Sequence, residues 1–233
     1  MSSNWGKGFT KETHPSIRKR SETMRRLKID NFAVWRNRMK ALGKIRSAYP
    51  AFVKGGDLAE LIGVVLGDGH IRKFPRTEEL SVFSNSNNPG FITRYARLIE
   101  CIFDKKPALT KHHGNCTRIR LYQKEVQSRL GIPYSPRGKL QITVPRWILK
   151  KEKYIVRYLR GLYEAEGSHC VHVPTGTYKL FFSNRNQTML NNVFRLLKKL
   201  GFHPHTSLNN HCIQLSRKQE VYKALELLQF RQY

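Results

Sequence analysis

Two apolar runs of helical character carry nearly the same pattern. From Leu61 the chain reads Leu-Ile-Gly-Val-Val-Leu-Gly-Asp-Gly to Gly69, and from Leu159 it reads Leu-Arg-Gly-Leu-Tyr-Glu-Ala-Glu-Gly to Gly167. Each has a small residue at its third and seventh positions: Gly63 and Gly67 in one, Gly161 and Ala165 in the other. Small residues four apart leave a flat strip on which a second helix backbone can lie closely. Each run then reaches one carboxylate, Asp68 or Glu166, followed at once by glycine. A charge at the end of an apolar helix, just before a stop signal, is a costly placement with no local reason.

The pattern around both runs also repeats. Asp57 with Glu60 three residues on reads as a capping box opening the first helix, with Leu58, Leu61, Ile62 and Val65 as its apolar stripe. After Gly69 the period changes to alternation: His70–Phe74 and Glu79–Ser84 predict two strands about a turn at Pro75. Pro89 opens a helix bearing Phe91, Tyr95, Leu98, Ile99, Ile102 and Phe103. A second hairpin, Pro107–Lys111 with Thr117–Tyr122, puts Arg118 and Arg120 on one face and Ile119 and Leu121 on the other. A short helix ends at Gly131.

The same order returns after Gly167. Lys179–Asn186 matches Leu80–Asn87, a helix covers Gln187–Leu200, His205–Leu208 and Cys212–Ser216 form a hairpin, and a last helix runs to Leu228, at offsets of about 95 to 99 residues. The chain is therefore two copies of αββαββα, residues 57–131 and 153–233, joined by a connector at 132–152. Two strand pairs per copy make one curved four-stranded antiparallel sheet. One face of each sheet meets helices. The other offers Arg72, Arg118, Arg120, Lys179, Arg185 and Gln214, long donors suited to phosphates and purine edges, and Lys73 and Arg76 join them as candidate DNA-binding residues.

Composition points to the same partner. The 233 residues carry 43 Lys+Arg against 16 Asp+Glu, a net charge of +27, which favours a polyanion, nucleic acid before an anionic membrane. No apolar run is long enough to span a bilayer. The start of the chain has no apolar signal core, so a cytoplasmic or nucleoid-associated protein is expected, or an organellar one if the gene is organelle-encoded. The cysteines (Cys101, Cys116, Cys170, Cys212) form no CxxC pair and read as reduced thiols. Residues 1–56 hold 14 Lys+Arg and 3 acids and predict two basic helices, the first capped by Thr10 or Thr13, the second over Asn31–Leu42 with Gly43 as its stop.

The two nonapeptides resemble the signature helices of the LAGLIDADG homing endonuclease family in its single-chain, two-repeat form, over residues 57 to 233. The resemblance implies an α+β fold of pseudo-twofold repeats whose sheets form a DNA-binding saddle. It implies a metal-dependent nuclease cutting double-stranded DNA across the minor groove, intron-encoded and acting as a monomer on a long, asymmetric target. By it Asp68 and Glu166 are the catalytic metal ligands, Gly63, Gly67, Gly161 and Ala165 the helix interface, and Lys139 in the connector a catalytic lysine. Residues 7–22 resemble the small modular DNA-binding motif appended to such nucleases.

The chemistry stands on its own terms. Phosphodiester hydrolysis needs an activated water and a stabilised leaving oxygen, which Mg²⁺ (or Mn²⁺) on hard carboxylate oxygens supplies. Helix C-termini disfavour bare anions, so the two acids call for a cation, with the Gly67 and Ala165 carbonyls as further ligands. Lys139 would stabilise phosphate charge, and its counterpart in the second copy would fall past Tyr233, so unequal cleavage of the two strands is expected. Glu164 reads as a structural or solvent-facing acid, and Trp147 with Tyr154 as core. His203, His205, His211 and Cys212, or His112, His113 and Cys116, lack zinc-ligand spacing. The competing functions are an RNA maturase assisting intron splicing, with intron RNA as partner, and a non-cleaving DNA-binding regulator.

Overall fold

The computed structural model describes residues 8–46, 48–134, 138, 140–207 and 211–233. Two compact units divide the chain, Met1–Pro50 and Ala51–Tyr233. In the first, helix α1 (Pro15–Arg26) and helix α2 (Ala33–Ala41) bury no residue. The N-cap of α1 is His14, whose Nδ1 accepts from the Ser16 N–H at 3.3 Å. Thr13 instead closes a turn upstream, its hydroxyl accepting from the Thr10 N–H at 2.8 Å, so neither threonine is the cap the sequence predicted. Beyond α2 the chain turns at Gly43, whose φ of +68° suits a residue without a Cβ.

In the second unit the order is α3 (Gly56–Gly67), β1 (Gly69–Lys73), β2 (Glu78–Asn85), α4 (Pro89–Phe103), β3 (Ala108–His112), β4 (Cys116–Gln123) and α5 (Val126–Leu130). The short α6 (Arg146–Leu149) precedes the second copy: α7 (Glu152–Glu166), β5 (Gly167–His172), β6 (Thr177–Ser183), α8 (Gln187–Lys199), β7 (His205–Thr206), β8 (Cys212–Leu215) and α9 (Lys218–Leu228). Each copy makes a four-stranded antiparallel sheet, in the orders β1-β2-β4-β3 and β5-β6-β8-β7. Alternation sends Ile71, Leu80, Val82, Ile119 and Leu121 of one sheet, and Leu180, Phe182, Ile213 and Leu215 of the other, into one continuous core. Asn88 and Asn186 cap α4 and α8 at matching places, accepting from the N–H three residues on.

The repeat has a different register from the one read in sequence. Gly69 pairs with Val82 and Gly167 with Phe182, while Leu80 faces Leu121 and Leu180 faces Leu215. Leu80 is therefore matched by Leu180, not by Lys179. A one-residue slip moves every side chain to the opposite face. Position 79 is the true counterpart of Lys179, and it is a glutamate. The offset falls back at the end of β2, where Ser86 and Asn184 both donate a backbone N–H to the opposing hairpin, to Asn115 O and His211 O.

Helices α3 and α7 pack against each other along their glycine strips. A Cβ on Gly161 would come within 2.7 Å of the Val64 nitrogen, and one on Gly63 within 2.9 Å of the Leu162 nitrogen. Because α3 lies between the two copies, every residue from Leu58 to Leu66 is buried, not only the predicted stripe. Gly161→Ala is expected to lower stability by about 1–3 kcal/mol, since backbone must move to admit the methyl. An unchanged denaturant midpoint would contradict this contact.

The capping box predicted at Asp57 and Glu60 does not form: Gly55 is the N-cap and makes no side-chain bond. Glu60 is fully buried and serves the helix pair instead. Its carboxylate accepts from Arg94 of α4 at 2.6 and 2.9 Å and from Arg157 of α7 at 2.5 Å, with Arg160 Nε at 3.6 Å. Arg157 also reaches Asp57 at 2.5 Å, and Arg160 donates to Gln229 and to the Gln232 carbonyl. Glu164 is buried too, accepting from the Arg231 N–H and the Tyr233 hydroxyl, so it is structural and not solvent-facing. Trp147 and Tyr154 form an edge-on pair, partly buried against the core.

Candidate active site and nucleic-acid face

The helix pair ends at the two carboxylates. Asp68 is the C-cap of α3, its N–H bonded to the Val64 carbonyl at 3.0 Å, and Glu166 is the last residue of α7. Each helix turns straight into a strand. A Cβ on Gly69 would lie 2.7 Å from the Val65 carbonyl oxygen, and one on Gly167 2.7 Å from the Tyr163 ring, which explains glycine after both acids. The chains meet here as well: a Cβ on Gly67 would stand 3.1 Å from Glu166 Cγ and clash with Ala165. The four small residues thus lie at the seam, and Asp68 and Glu166 at one end of it.

The electrostatics of this end are strained. Burial, and then the charge of Glu166, push the Asp68 carboxyl up to about 7. Burial also raises Glu166, opposed by a hydrogen bond that Asn184 Nδ2 donates to its Oε1 at 3.2 Å. Two hard carboxylates that resist joint ionisation are a donor set that a divalent cation would relieve, so the residues fit such an ion. Among the described residues no three His, Cys, Asp or Glu side chains converge, so backbone, water and phosphate oxygens would complete its shell.

This acid has a pH signature. Asp68 binds a proton more tightly folded than unfolded, so between about pH 4 and about 7 the native state holds more protons and stability falls as pH rises. In chelator, the metal-free chain is expected to lose on the order of 4 kcal/mol across that interval. Asp68→Asn should remove most of this loss, leaving the part that the raised Glu166 contributes, and stabilise the chain above neutrality. Denaturant midpoints for both proteins across pH check it, and parallel curves would refute the assignment.

An open pocket beside Glu166 is lined by Gly138, Ser183, Asn184, Arg185 and His211. Arg185 therefore sits at the acid, past the end of β6, rather than on the sheet. Lys139 lies outside the described residues. The connector after it runs along α8, with the Ile142 N–H on the Thr188 hydroxyl at 2.9 Å and Asn186 Nδ2 on the Leu140 carbonyl at 2.8 Å. The sequence reading saw Asn184 only as part of a strand and weighed His211 only as a zinc ligand without the spacing for it, so neither was assigned to this site.

The open sheet faces hold most of the remaining basic set. Arg72, Arg118 and Arg120 share the open face of the first sheet, and Lys179 and Gln214 that of the second, where Gln214 Nε2 donates to Ser216 Oγ at 2.7 Å. Arg72 lies 4.9 Å from the centre of the Phe74 ring and Arg120 5.3 Å from that of Tyr122. Arg76 is exposed in the β1–β2 turn. Lys73 does not join them: the pleat puts it on the same side as Ile71, where its Nζ is 6.0 Å from the Tyr134 ring centre. One acid also lies on the open face. Glu79 is 5% exposed and accepts from Ser81 Oγ at 2.9 Å and the Tyr122 hydroxyl at 3.2 Å, with Arg118 Nη1 at 3.4 Å.

Solved structures share this arrangement of helices and sheets. The homing endonuclease I-DmoI in complex with DNA and Mn superposes with a TM-score of 0.54 at 19% identity, over 74% of this chain and 96% of that one. The fold is the LAGLIDADG fold. The homing endonuclease I-WcaI bound to its DNA recognition sequence gives 0.52 at 18% identity, covering 76% of this chain and 82% of that one. The N-terminal LAGLIDADG domain of DUF199/WhiA gives 0.52 at 17% identity over 77% and 86%. No protein-family model and no curated protein matches the chain. Structures of I-DmoI with DNA also include one with Ca and a variant in the presence of Mg.

Proposed function

We propose that this chain is a site-specific endonuclease that hydrolyses double-stranded DNA with a divalent cation, as a monomer that supplies both acids. One observation carries the reading: two half-buried carboxylates at the ends of packed LAGLIDADG helices, with Asp68 raised in part by the charge of Glu166. The DNA complexes among its structural neighbours, and the metals present in them, support it.

Asp68 and Glu166 would hold the cation, with the Gly67 and Ala165 carbonyls beside them. When bound, the ion supplies a more acidic water and charge neutralisation at the phosphate. Asn184 fixes one oxygen of Glu166 and so orients the other. Arg185 and His211, in the pocket beside Glu166, are placed to donate to phosphate oxygens of the strand served there. Lys139, one residue beyond Gly138 of the same pocket, is the proposed stabiliser of transition-state charge. The sheet faces would supply target recognition, and the net charge of +27 a salt-dependent attraction to the duplex.

The test incubates the chain and Mg²⁺ with genomic DNA flanking its own gene and with a randomised duplex library, then sequences the ends released. Discrete breaks with short 3′ overhangs, abolished by chelator, are expected. DNA left intact by a chain that binds intron RNA would overturn the nuclease in favour of a maturase.

A further inference from the structure

The acid on the DNA-facing side of the first sheet requires an explanation. A carboxylate there repels phosphate, and nothing in the nuclease chemistry uses Glu79. It is also buried, so it cannot itself accept from a base edge. Its bonds all run to neighbours on the same face: Ser81, Tyr122 and Arg118.

We infer that Glu79 is a positioning residue for base recognition, fixing Arg118 as a guanine reader and Tyr122 as the platform for Arg120. The inference rests on the proposed reading of the sheets as the DNA face. Arg118 is held at two points, Nη1 by Glu79 at 3.4 Å and Nε by Thr110 Oγ1 at 3.4 Å. Among the described residues Nη2 meets no partner, and the planar guanidinium edge to which it belongs can match O6 and N7 of guanine in the major groove. A flexible arginine would spread its charge over any phosphate nearby, whereas a buttressed one presents a single geometry and loses little freedom on binding. Tyr122 is held through its hydroxyl, and Arg120 lies over its ring. One buried carboxylate thus directs two arginines, the first directly and the second through a ring.

The second sheet lacks this device. Its counterpart of Glu79 is Lys179, which is exposed and lies on the open face. The two halves are therefore expected to read DNA differently: the first with fixed donors at defined base pairs, the second with mobile charge and weaker base preference.

The experiment selects bound duplexes from a randomised library with the intact chain, Glu79→Gln and Arg118→Lys, and compares base frequencies position by position. Glu79→Gln removes a negative charge from the DNA face, so its affinity for mixed-sequence DNA should rise several-fold while guanine preference collapses at one or two adjacent positions of one half-site. Arg118→Lys keeps the charge but loses the fork, and should flatten the same positions about ten-fold or more. If both variants keep the wild-type base preferences, Glu79 positions nothing. If Glu79→Gln weakens binding to all sequences equally, its role is structural only and the inference falls. A wild-type chain that enriches no sequence would overturn the nuclease reading itself, a failure distinct from either.

Discussion

Asp68→Asn and Glu166→Gln should each reduce cleavage at least a thousand-fold while leaving DNA binding within a few-fold. Both substitutions keep size and shape and remove a hard anionic ligand, without which the cation is held weakly and the attacking water stays a poor nucleophile. The effects should differ by strand. Glu166 is tied to Asn184 and shares its pocket with Arg185 and His211, whereas the residue matching Asn184 in the first copy, Ser86, bonds to Thr117 at 2.8 Å. Separate 5′ labels on the two strands of a selected target would resolve the two cuts. Equal rates in the wild type would argue against this asymmetry, and a full-rate Asp68→Asn enzyme would remove Asp68 from the mechanism.

The second large effect is on stability. Glu60→Ala should cost about 3–5 kcal/mol, because it strands Arg94, Arg157 and Arg160 around an empty centre. Arg160 is itself deeply buried, and burial holds its pKa below the usual value despite the nearby acids. Glu60→Gln should cost less, since one amide oxygen still accepts. Denaturant unfolding at neutral pH measures both, and a Glu60→Ala midpoint equal to wild type would show that the cluster contributes nothing net.

Much of the architecture was legible because it is periodic. The change from helical to alternating spacing, the proline that opens α4, and the small residues of α3 and α7 all reflect local rules. The pairing of Asp68 with Glu166 followed from their matching places in a repeat. What stayed hidden depended on contacts distant in sequence. Asp57 and Glu60 have capping-box spacing, but three arginines from other parts of the fold bind Glu60 more strongly than a helix terminus could. The alignment of Lys179 with Leu80 followed residue identity, whereas the offset changes within the copy as β2 runs two residues further past the shared pairing. That slip also hid Glu79, because the wrong register sets Lys179 against an apolar neighbour. Asn184 gave no local sign that it would touch Glu166, since only the fold of β6 back onto the end of α7 brings them together.

The arginine cluster at Glu60 decides which helix can lie beside which. In α3 the buried acid faces outward from one copy, and in α7 Arg157 and Arg160 face it from the other. Two first copies laid together would leave each Glu60 with only Arg94 of its own copy, and two second copies would gather four arginines with only Glu164 of each copy nearby. Either self-pair brings like charges together at the seam with fewer opposite partners than the mixed pair supplies. The glycine strips alone would allow any of the three pairings. The charges make the two halves complementary rather than interchangeable, so each half is expected to pair with the other more tightly than with a second copy of itself.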